Sequence, residues 1–564
     1  MGTIALPKIE KHHKLSQEHD SMKNKKYPFY EIEPINNLKE LVNHVAKKYG
    51  DNTAFTFERD NSVVNISYKQ FNLDVESLGT AFYNLNVRDM KIAVIGENSY
   101  EWILTYFAAV NSGNVIVPLD KELSARNLKN LVDFSDAKVL VYSDGFNHIS
   151  EYLRKDKANI SHYISMEKLQ DMINKGRELI RQGDSRIVNY EINNHSLTAL
   201  LYTSGTTGTA KGVMLSHMNI ACNAVTACHH VWFQGNNMLV LPLHHSFAFT
   251  AAVCATLLEG SEIAINSSIM NILSDLEKYK PNNMFLVPLF VETFYKRIWE
   301  NAKKQGKDNL LKKMIKISNA LLRIGIDIRH ILFKPVHRAF GGNLKLLVSG
   351  GAFLDTKYIH GLRDFGINVL NGYGITECSP IVSVNRNEHF RDESVGLVLS
   401  CCDVKILEPD EKGHGEICVK GDIVMLGYYQ NKQATEKAFD GEWFKTGDIG
   451  YLDKDGFLFI SGRAKNLIVL SNGKNVYPEE VESALLNHIT YVKEVVVYAE
   501  ENIIIAEVFL DIESDPVRSS LLEKDIVALN RILPQHMNIG KTVIRDTEFP
   551  KTTTKKIKRA HNDE

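Results

Sequence analysis

Residues 202–212 read Tyr-Thr-Ser-Gly-Thr-Thr-Gly-Thr-Ala-Lys-Gly, directly after the apolar run Leu197–Leu201. Hydroxyl side chains, three glycines and a lysine leave backbone N–H groups open to a polyanion, which is typical of a phosphate-binding loop. It is not a Walker loop, because Lys211 is followed by glycine. A flexible linker is the alternative, and the apolar runs on both sides disfavour it. The residues expected to bind phosphate are Thr203, Ser204, Gly205, Thr206, Thr207, Gly208 and Lys211.

Short apolar runs alternate with longer helical patterns on both sides of this loop. Such alternation is typical of largely parallel sheets with helices on both faces. After Val395 the pattern changes to short strands and turns, with a hairpin around residues 453–456, which predicts a β-rich subdomain. A small α+β unit follows, whose helix is expected to begin at Pro478. The apolar runs are Ile92–Ile95, Asn114–Leu119, Lys138–Tyr142, Leu197–Thr203, Met238–Leu243, Met284–Leu289 and Leu344–Val348.

The composition argues against several classes of protein. At 564 residues the chain is too long for one compact core. The 66 basic and 68 acidic residues give a formal net charge of -2, so no overall field favours a nucleic acid partner. Seven cysteines without a Cys-x-x-Cys pair favour a reducing, cytoplasmic setting. The leader 1–26 is polar, and no apolar run reaches the roughly 20 residues that span a bilayer.

Residues 296–338 interrupt the alternation of strands and helices. They carry twelve Lys or Arg residues against three acidic ones, and their apolar residues recur at near-helical spacing. This pattern predicts a basic, amphipathic helical insertion. One interpretation is a surface that is drawn to anionic lipid on the inner face of the membrane. The alternative is a solvated helix face.

Four further motifs follow the loop along the chain. Taken alone, the second and third have a plainer interpretation as turns, and the last as a solvated basic tail. Their joint occurrence in this order is far more specific. The motifs are Pro242-Leu243-His244-His245-Ser246-Phe247, Asn371-Gly372-Tyr373-Gly374-Ile375-Thr376-Glu377, Lys445-Thr446-Gly447-Asp448 with Ser461-Gly462-Arg463 behind it, and Pro550-Lys551-Thr552-Thr553-Thr554-Lys555-Lys556-Ile557-Lys558-Arg559.

This ordered set resembles the acyl-adenylate-forming family of acyl-CoA synthetases, luciferases and peptide-synthetase adenylation domains. The resemblance implies that Tyr373 stacks on adenine, Thr376 contacts the α-phosphate and Glu377 holds Mg²⁺, and each residue type suits its role. It also implies that Asp448 accepts hydrogen bonds from both ribose hydroxyls, with Arg463 as a cation nearby.

The same resemblance assigns roles outside the nucleotide motifs. His245 is expected at the carboxylate end of the acyl pocket, whereas His244 is expected to point away, because successive side chains at a strand end face opposite sides. Lys556 is the lysine expected to bridge the carboxylate and the α-phosphate. Lys555 stands where the family motif has glycine, which departs from the pattern.

The implied architecture is α/β. Residues 27–464 form a large N-terminal domain of parallel-sheet α/β subdomains plus the β-rich subdomain. Residues 465–564 form a small, mobile α+β C-terminal domain that carries the catalytic lysine. Lys465 falls at the hinge about which this domain rotates between two half-reactions. Gly473 is expected to approach the tunnel for coenzyme A, because glycine permits close backbone contact.

The resemblance therefore implies an ATP-dependent, AMP-forming ligase that uses Mg²⁺ and transfers the acyl group of a fatty acid to coenzyme A. Medium- and long-chain acids are favoured, because residues 296–338 and the element Ser349–Ala352 resemble long-chain fatty acyl-CoA synthetases. The acyl tunnel is expected beside His245 and Val287, with a lining of Phe247, Phe249, Leu289 and Phe290.

Two other functions stay open at this point. An adenylating enzyme could load an acyl carrier protein in trans. A non-catalytic nucleotide-binding scaffold could keep the fold, but the joint presence of Lys211, Glu377, Asp448, Arg463 and Lys556 disfavours it. The oligomeric state is equally open between a monomer and a homodimer.

Overall fold

The computed structural model describes residues 27–203, 211–233, 235–266, 268–470, 474–510 and 521–551, together with Ile557 and Arg559. Within these ranges the strands are β1 (Thr53–Arg59), β2 (Ser62–Ser67), β3 (Lys91–Ile95), β4 (Val115–Pro118), β5 (Val139–Tyr142), β6 (His162–Ser165), β7 (Leu197–Thr203), β8 (Lys211–Ser216), β9 (Asn237–Leu239), β10 (Ile263–Ile265), β11 (Asn283–Leu286), β12 (Leu346–Ser349), β13 (Asn368–Gly374), β14 (Ile381–Val384), β15 (Leu397–Val398), β16 (Cys402–Leu407), β17 (Gly415–Gly421), β18 (Gly427–Tyr428), β19 (Phe439–Asp440), β20 (Trp443–Leu452), β21 (Leu458–Arg463), β22 (Ile468–Val469), β23 (Asn475–Val476), β24 (Val492–Glu500), β25 (Ile503–Leu510) and β26 (Ile539–Arg545).

The helices of the same ranges are α1 (Leu38–Tyr49), α2 (Tyr68–Asn84), α3 (Tyr100–Asn111), α4 (Ala125–Ser135), α5 (Asn147–Lys155), α6 (Leu169–Arg181), α7 (His217–His230), α8 (Thr256–Leu258), α9 (Ile272–Tyr279), α10 (Pro288–Lys304), α11 (Asp308–Leu322), α12 (Arg329–Leu332), α13 (Lys334–Ala339), α14 (Thr356–Asp364), α15 (Lys432–Ala438), α16 (Pro478–His488) and α17 (Leu522–Asn530). A π-helix, Ala248–Ala255, runs directly into α8.

Two large sheets form the body of the protein. One has seven strands in the order β18-β8-β7-β4-β3-β5-β6, and the other has nine in the order β15-β14-β13-β12-β11-β9-β10-β1-β2. Their central strands are parallel, for example β3 with β4 and β5, and β12 with β11 and β13. Antiparallel pairs such as β7 with β8 and β13 with β14 lie toward one edge of each sheet. The predicted α/β fold is therefore confirmed.

The principal core surrounds two helices that are buried on almost every side. In α3 the rings of Trp102, Tyr106 and Phe107 are buried, and in α7 all but three residues are buried. A helix with so little exposed surface lies in the interior of a large domain. Helix α7 begins with a capping box, in which Ser216 and Asn219 each satisfy a backbone N–H of the other residue. Helix α7 also packs against the π-helix.

The β-rich region behind these sheets has five antiparallel strands, β16-β17-β20-β19, with β21 paired to β20. The predicted hairpin is present, since β20 and β21 pair from Asp448 opposite Arg463 to Leu452 opposite Leu458. The pairing sets two predicted site residues directly opposite each other.

The C-terminal residues form an α+β unit with a hydrophobic core of its own, which includes Val481, Leu485 and Val495. Strands β24 and β25 are antiparallel, and β26 adds to β25 in parallel. Helix α16 begins at Pro478 with two acidic residues in its first turn, which matches the predicted helix start.

Two predicted runs end differently in the structure. The run Met284–Leu289 is a strand only as far as Leu286, because Pro288 begins helix α10. At the first position of a helix a backbone N–H has no partner within the helix, so proline costs no hydrogen bond there. The run Met238–Leu243 contributes only the short strand β9. The basic insertion is helical as predicted, in α10 to α13, but its first helix begins eight residues before residue 296. No helix in the described part of the chain has both the length and the apolar character needed to cross a membrane.

Candidate active site

A deep cleft of about 3100 Å³ lies where the two large sheets, the β-rich region and the C-terminal unit meet. Every predicted catalytic, nucleotide-binding, metal-binding and hinge residue that the structure describes lines it. These residues are Thr203, Lys211, His245, Tyr373, Thr376, Glu377, Asp448, Arg463 and Lys465. The predictions for Ser204, Gly205, Thr206, Thr207, Gly208, Gly473 and Lys556 lie outside the described residues.

The predicted phosphate loop connects two paired strands. Thr203 ends β7, Lys211 begins β8, and the two residues stand opposite each other in the antiparallel register. Both are half-buried and line the cleft. The antiparallel pairing therefore holds the two ends of the loop together at one wall of the cleft.

The second motif follows β13 to the end of the nine-stranded sheet. Tyr373 lies on β13, and the chain then turns through the short 3₁₀ segment Thr376–Cys378. Ligands commonly bind beyond the carboxyl ends of parallel strands, and this turn lies there. Glu377 Oε1 accepts a hydrogen bond of 2.9 Å from the hydroxyl of Tyr428.

The carboxylate of Glu377 fits a site for Mg²⁺, because its oxygens are hard ligands and it borders the cleft beside Thr376. Among the described residues, only Oε1 is seen to accept a side-chain hydrogen bond, which leaves lone pairs on the carboxylate for a cation. The donor chemistry thus agrees with the predicted metal ligand.

Asp448 is buried, with 4% of its surface exposed, and lies at the centre of a polar cluster. Its Oδ2 accepts from the hydroxyl of Tyr373 at 2.5 Å, and its Oδ1 lies 2.8 Å from Nε of Arg463. The backbone N–H of Asp448 donates to Oγ1 of Thr446 at 3.1 Å. Burial, followed by the charge of Asp448, raises the pKa of Tyr373 well above its usual value, so its hydroxyl remains a donor.

Tyr428 belongs to the site although no sequence motif pointed to it. It is buried on the short edge strand β18, and the ammonium of Lys211 lies 4.8 Å from the centre of its ring. Its hydroxyl contacts Glu377 as described above. A tyrosine after glycine has no chemical signal of its own in a single sequence, so only the folded chain reveals this contact.

The two adjacent histidines have separate environments. His245 lines the cleft at the start of the segment that leads into the π-helix, whereas His244 does not and places Nε2 3.5 Å from Oδ1 of Asp120. Burial, with the nearby charge of Lys121, lowers the pKa of His244 to about 4, so this ring is neutral. The structure thus brings His245, and not His244, to the cleft.

An apolar pocket extends from the cleft into the body. The ring of Phe247 lies 6.0 Å from that of Phe285, which in turn lies 5.1 Å from Phe233. Ala251 and Ala255 of the π-helix complete a buried wall. The pocket adjoins the nucleotide motif at Gly350, where a Cβ atom would lie 3.4 Å from Phe247 and 3.6 Å from the carbonyl oxygen of Gly372.

The predicted tunnel lining was wrong for one residue. Phe249 does not line the cleft, because its ring stacks on Tyr106 at 3.5 Å and packs against Phe107. Phe247, Leu289 and Phe290 do line it. In a helix, residues two apart face different sides, so Phe247 and Phe249 could not both reach the pocket.

The C-terminal unit closes one side of the cleft. Lys551 and Ile557 form an isolated antiparallel bridge around residues 552–556, and Ile557 and Arg559 line the cleft. Acidic residues anchor both ends of this segment. Glu482 lies 2.6 Å from Nη2 of Arg559, while Glu494 pairs with Lys551 and accepts from the backbone N–H of Phe549 at 2.8 Å.

Residues 42–429 match the family described as AMP-binding enzyme, and residues 465–563 match its C-terminal domain. The chain belongs to the AMP-binding enzyme family. Within it, the predicted place among the acyl-adenylate-forming ligases, near the fatty acyl-CoA synthetases, is confirmed, and the protein is an AMP-forming acid–thiol ligase.

Several members of the AMP-binding enzyme family are similar over most of the chain. The long-chain-fatty-acid–CoA ligase FadD15 of Mycobacterium bovis is 30% identical over 435 residues, which cover 71% of this chain and 69% of that protein. A long-chain-fatty-acid–[acyl-carrier-protein] ligase of Arabidopsis thaliana, AEE15, is 27% identical over 78% of this chain and 72% of its own length. The crystal structure of the anthranilate CoA ligase AuaEII with anthranoyl-AMP has a TM-score of 0.75 at 20% identity, over 95% of this chain and 97% of that one. This last likeness concerns the fold alone.

Proposed function

We propose that the protein activates a medium- or long-chain fatty acid with ATP, forms the acyl-adenylate and pyrophosphate, and then transfers the acyl group to coenzyme A with release of AMP. One observation carries this proposal. A polar nucleotide site around Asp448 and Glu377 opens directly into a deep, buried apolar pocket at Gly350. An enzyme that joins a nucleotide to an apolar acid needs this continuity.

The nucleotide would be held by the residues that share the polar part of the cleft. In this proposal Asp448 accepts the ribose hydroxyls, Tyr373 stacks on adenine, and Thr376 and Lys211 bind phosphate oxygens. The two bonds from Tyr373 and Arg463 orient the buried carboxylate of Asp448 before ATP arrives. A preoriented acceptor loses little freedom on binding, which favours affinity. Mg²⁺ held by Glu377 would neutralise charge on the phosphates.

The acyl chain would lie along the aromatic and alanine wall of the pocket, with its carboxylate near His245. Each methylene group removed from water contributes about 0.8 kcal/mol, so a deep apolar pocket favours long acids over short ones until the chain reaches its end. Buried Phe285, Phe233 and Ala251 support such a depth, since little of their surface faces solvent. Short acids such as acetate would bind weakly.

Lys556 is the proposed group that stabilises charge on the α-phosphate during adenylate formation. The anchoring of Lys551 by Glu494 and of Arg559 by Glu482 supports this assignment, because both anchors stand beside the cleft. Coenzyme A has to enter the same cleft for the second step. We therefore include the rotation of residues 465–564 about Lys465 in the proposal.

Attachment to an anionic lipid surface, from a cytoplasmic location, completes the proposal. Helices α10 and α11 present exposed lysines, and three exposed apolar residues, Ile269, Leu289 and Phe353, stand at the mouth of the cleft. Exposed basic and apolar residues together favour the membrane interface, where fatty acids partition. The seven free cysteines favour a reducing location.

The deciding experiment measures pyrophosphate and AMP release with a panel of carboxylic acids, each with and without coenzyme A. We expect release of pyrophosphate with palmitate, and of AMP with thioester formation only when coenzyme A is added. Transfer to a purified acyl carrier protein without coenzyme A would favour the second candidate, for which the Arabidopsis relative is the supporting observation. Failure to release pyrophosphate with any acid would refute both and favour a non-catalytic scaffold.

A further inference from the structure

Tyr428 lies between Glu377 and Lys211, two charged side chains of the nucleotide site that come from different sheets. Its hydroxyl donates to Oε1 of Glu377 at 2.9 Å, and its ring lies 4.8 Å from the ammonium of Lys211. Glu377 follows the nine-stranded sheet, whereas Lys211 begins β8 of the seven-stranded sheet. The one side chain therefore contacts a proposed metal ligand and a proposed phosphate ligand at once.

The backbone around Tyr428 connects the same two elements. The N–H of Tyr429 donates to the carbonyl oxygen of Gly212 at 2.7 Å, next to Lys211. On the other side, the N–H of Met425 donates to the backbone oxygen of Glu377 at 2.9 Å. Residues 425–429 are thus fixed to both walls of the cleft. The aromatic side chain has little freedom to leave its place.

The local packing also restrains Tyr428. Its backbone N–H donates to Oγ1 of Thr435 at 2.9 Å, and only 7% of its surface is exposed. In the hydrogen bond between Tyr428 and Glu377 the tyrosine hydroxyl is the donor, because an ionised carboxylate can only accept.

We propose that Tyr428 is a positioning residue for ATP activation: its hydroxyl orients the carboxylate of Glu377 toward Mg²⁺, and its ring holds the ammonium of Lys211 toward the phosphates. This inference rests on the proposed function, since it needs MgATP in the cleft. Groups that hydrogen-bond a metal ligand fix its orientation, and their loss commonly weakens metal affinity by about 10- to 100-fold. A cation over an aromatic face is similarly held in place.

Two substitutions separate the two roles. Tyr428→Phe removes only the hydroxyl and keeps the ring, whereas Tyr428→Leu removes both. Tyr429→Phe is the matched control, because this neighbour loses the same hydroxyl, is half-buried and does not line the cleft. Calorimetric titration with ATP, once with Mg²⁺ and once with EDTA, measures binding without turnover. The dissociation constant measured with EDTA, divided by the one measured with Mg²⁺, reports how much the metal contributes to ATP affinity.

We expect Tyr428→Phe to reduce this ratio by about tenfold or more and to leave the affinity for metal-free ATP unchanged. Tyr428→Leu should lower both affinities, and Tyr429→Phe should alter neither. A ratio in Tyr428→Phe equal to that of the unmodified protein would overturn the inference. If the unmodified protein bound ATP no better with Mg²⁺ than without it, both the inference and the proposed function would fail.

A double-mutant cycle keeps the inference testable should Tyr428→Phe be less stable. If the hydroxyl acts through Glu377, Tyr428→Phe should cause no further loss of MgATP affinity in a Glu377→Gln background. Additive losses of affinity would show that Tyr428 acts independently of Glu377 and would overturn the proposed role.

Discussion

Replacing Asp448 with asparagine tests the proposed ribose site with almost no change in volume. The native carboxylate is buried and already accepts from Tyr373 at 2.5 Å and from Arg463 at 2.8 Å. A carboxylate oxygen has more than one acceptor position, so both oxygens of Asp448 can also accept from ribose hydroxyls. An amide presents one oxygen and one NH₂ group, so one of the two protein donors and one ribose hydroxyl would meet a donor instead.

The magnitude follows from these contacts. A hydrogen bond to a charged group contributes about 1.5–3 kcal/mol, and at least one such bond to ribose is lost. Because 1.4 kcal/mol corresponds to a tenfold change, ATP affinity should fall by roughly 10- to 150-fold. The fall should be larger still if the loss of the Tyr373 bond disturbs the adenine site.

Calorimetric titration with ATP and with 2′,3′-dideoxy-ATP isolates the ribose contribution. The unmodified protein should bind the dideoxy analogue much more weakly, whereas Asp448→Asn should bind the two nucleotides almost equally. The control is Asp440→Asn, which removes a carboxylate from the same sheet, where it is exposed and paired with Lys405. If Asp448→Asn weakened both nucleotides by the same factor, Asp448 would only support Tyr373 and Arg463, and the assignment would be refuted.

Four further predictions concern other parts of the site. Lys556→Ala should abolish adenylate formation but largely preserve thioester formation from supplied acyl-adenylate; equal loss in both assays would contradict the proposed role. Ala251→Phe should shift preference from palmitate toward shorter acids in a competition assay, because the larger ring fills the pocket. Burial raises the pKa of Glu482 to about 7, with the Arg559 guanidinium opposing and the Glu479 carboxylate adding to the shift. Since the folded state binds this proton more tightly than the unfolded chain, that contribution to stability is present below about pH 4 and lost as pH rises through about 7. As the pH is raised from about 5 to 8, the melting temperature of Glu482→Gln should therefore decline less than that of the unmodified protein. Neutralising five exposed lysines of the insertion should weaken the binding free energy to anionic vesicles by about 1 kcal/mol per cation near the surface, so less protein should sediment with the vesicles. If the unmodified protein does not sediment with them, membrane attachment is refuted. The insertion set is Lys303, Lys304, Lys312, Lys313 and Lys316, and the matched exposed control set is Lys69, Lys412, Lys432, Lys454 and Lys524.

The fold class was predictable from local patterns. Alternating apolar runs and helical periods indicate parallel sheets, and the proline and acids at the start of α16 identify a helix start without any tertiary information. Boundaries were less predictable where apolar runs continue past a strand. The run that starts at Met284 continues past its strand: it pairs as far as Leu286, and Pro288 then begins helix α10.

The site residues with distinctive chemistry were also identifiable from sequence. Lys211, Glu377 and Asp448 lie within ordered motifs, and the folded chain brings all three to one cleft. Their motifs are visible because each requires particular residue types at fixed, short spacing.

Other features depend on residues that are far apart in the chain. Tyr428 meets Glu377 across 51 positions, and Asp448 meets Tyr373 across 75. The choice of Phe247 over Phe249 for the pocket is set by the rotation of one helix against Tyr106. Sequence determines which chemical groups are available and the local elements that carry them. Tertiary packing alone decides which of them meet, because contact between distant segments depends on the complete arrangement of the sheets and not on local spacing.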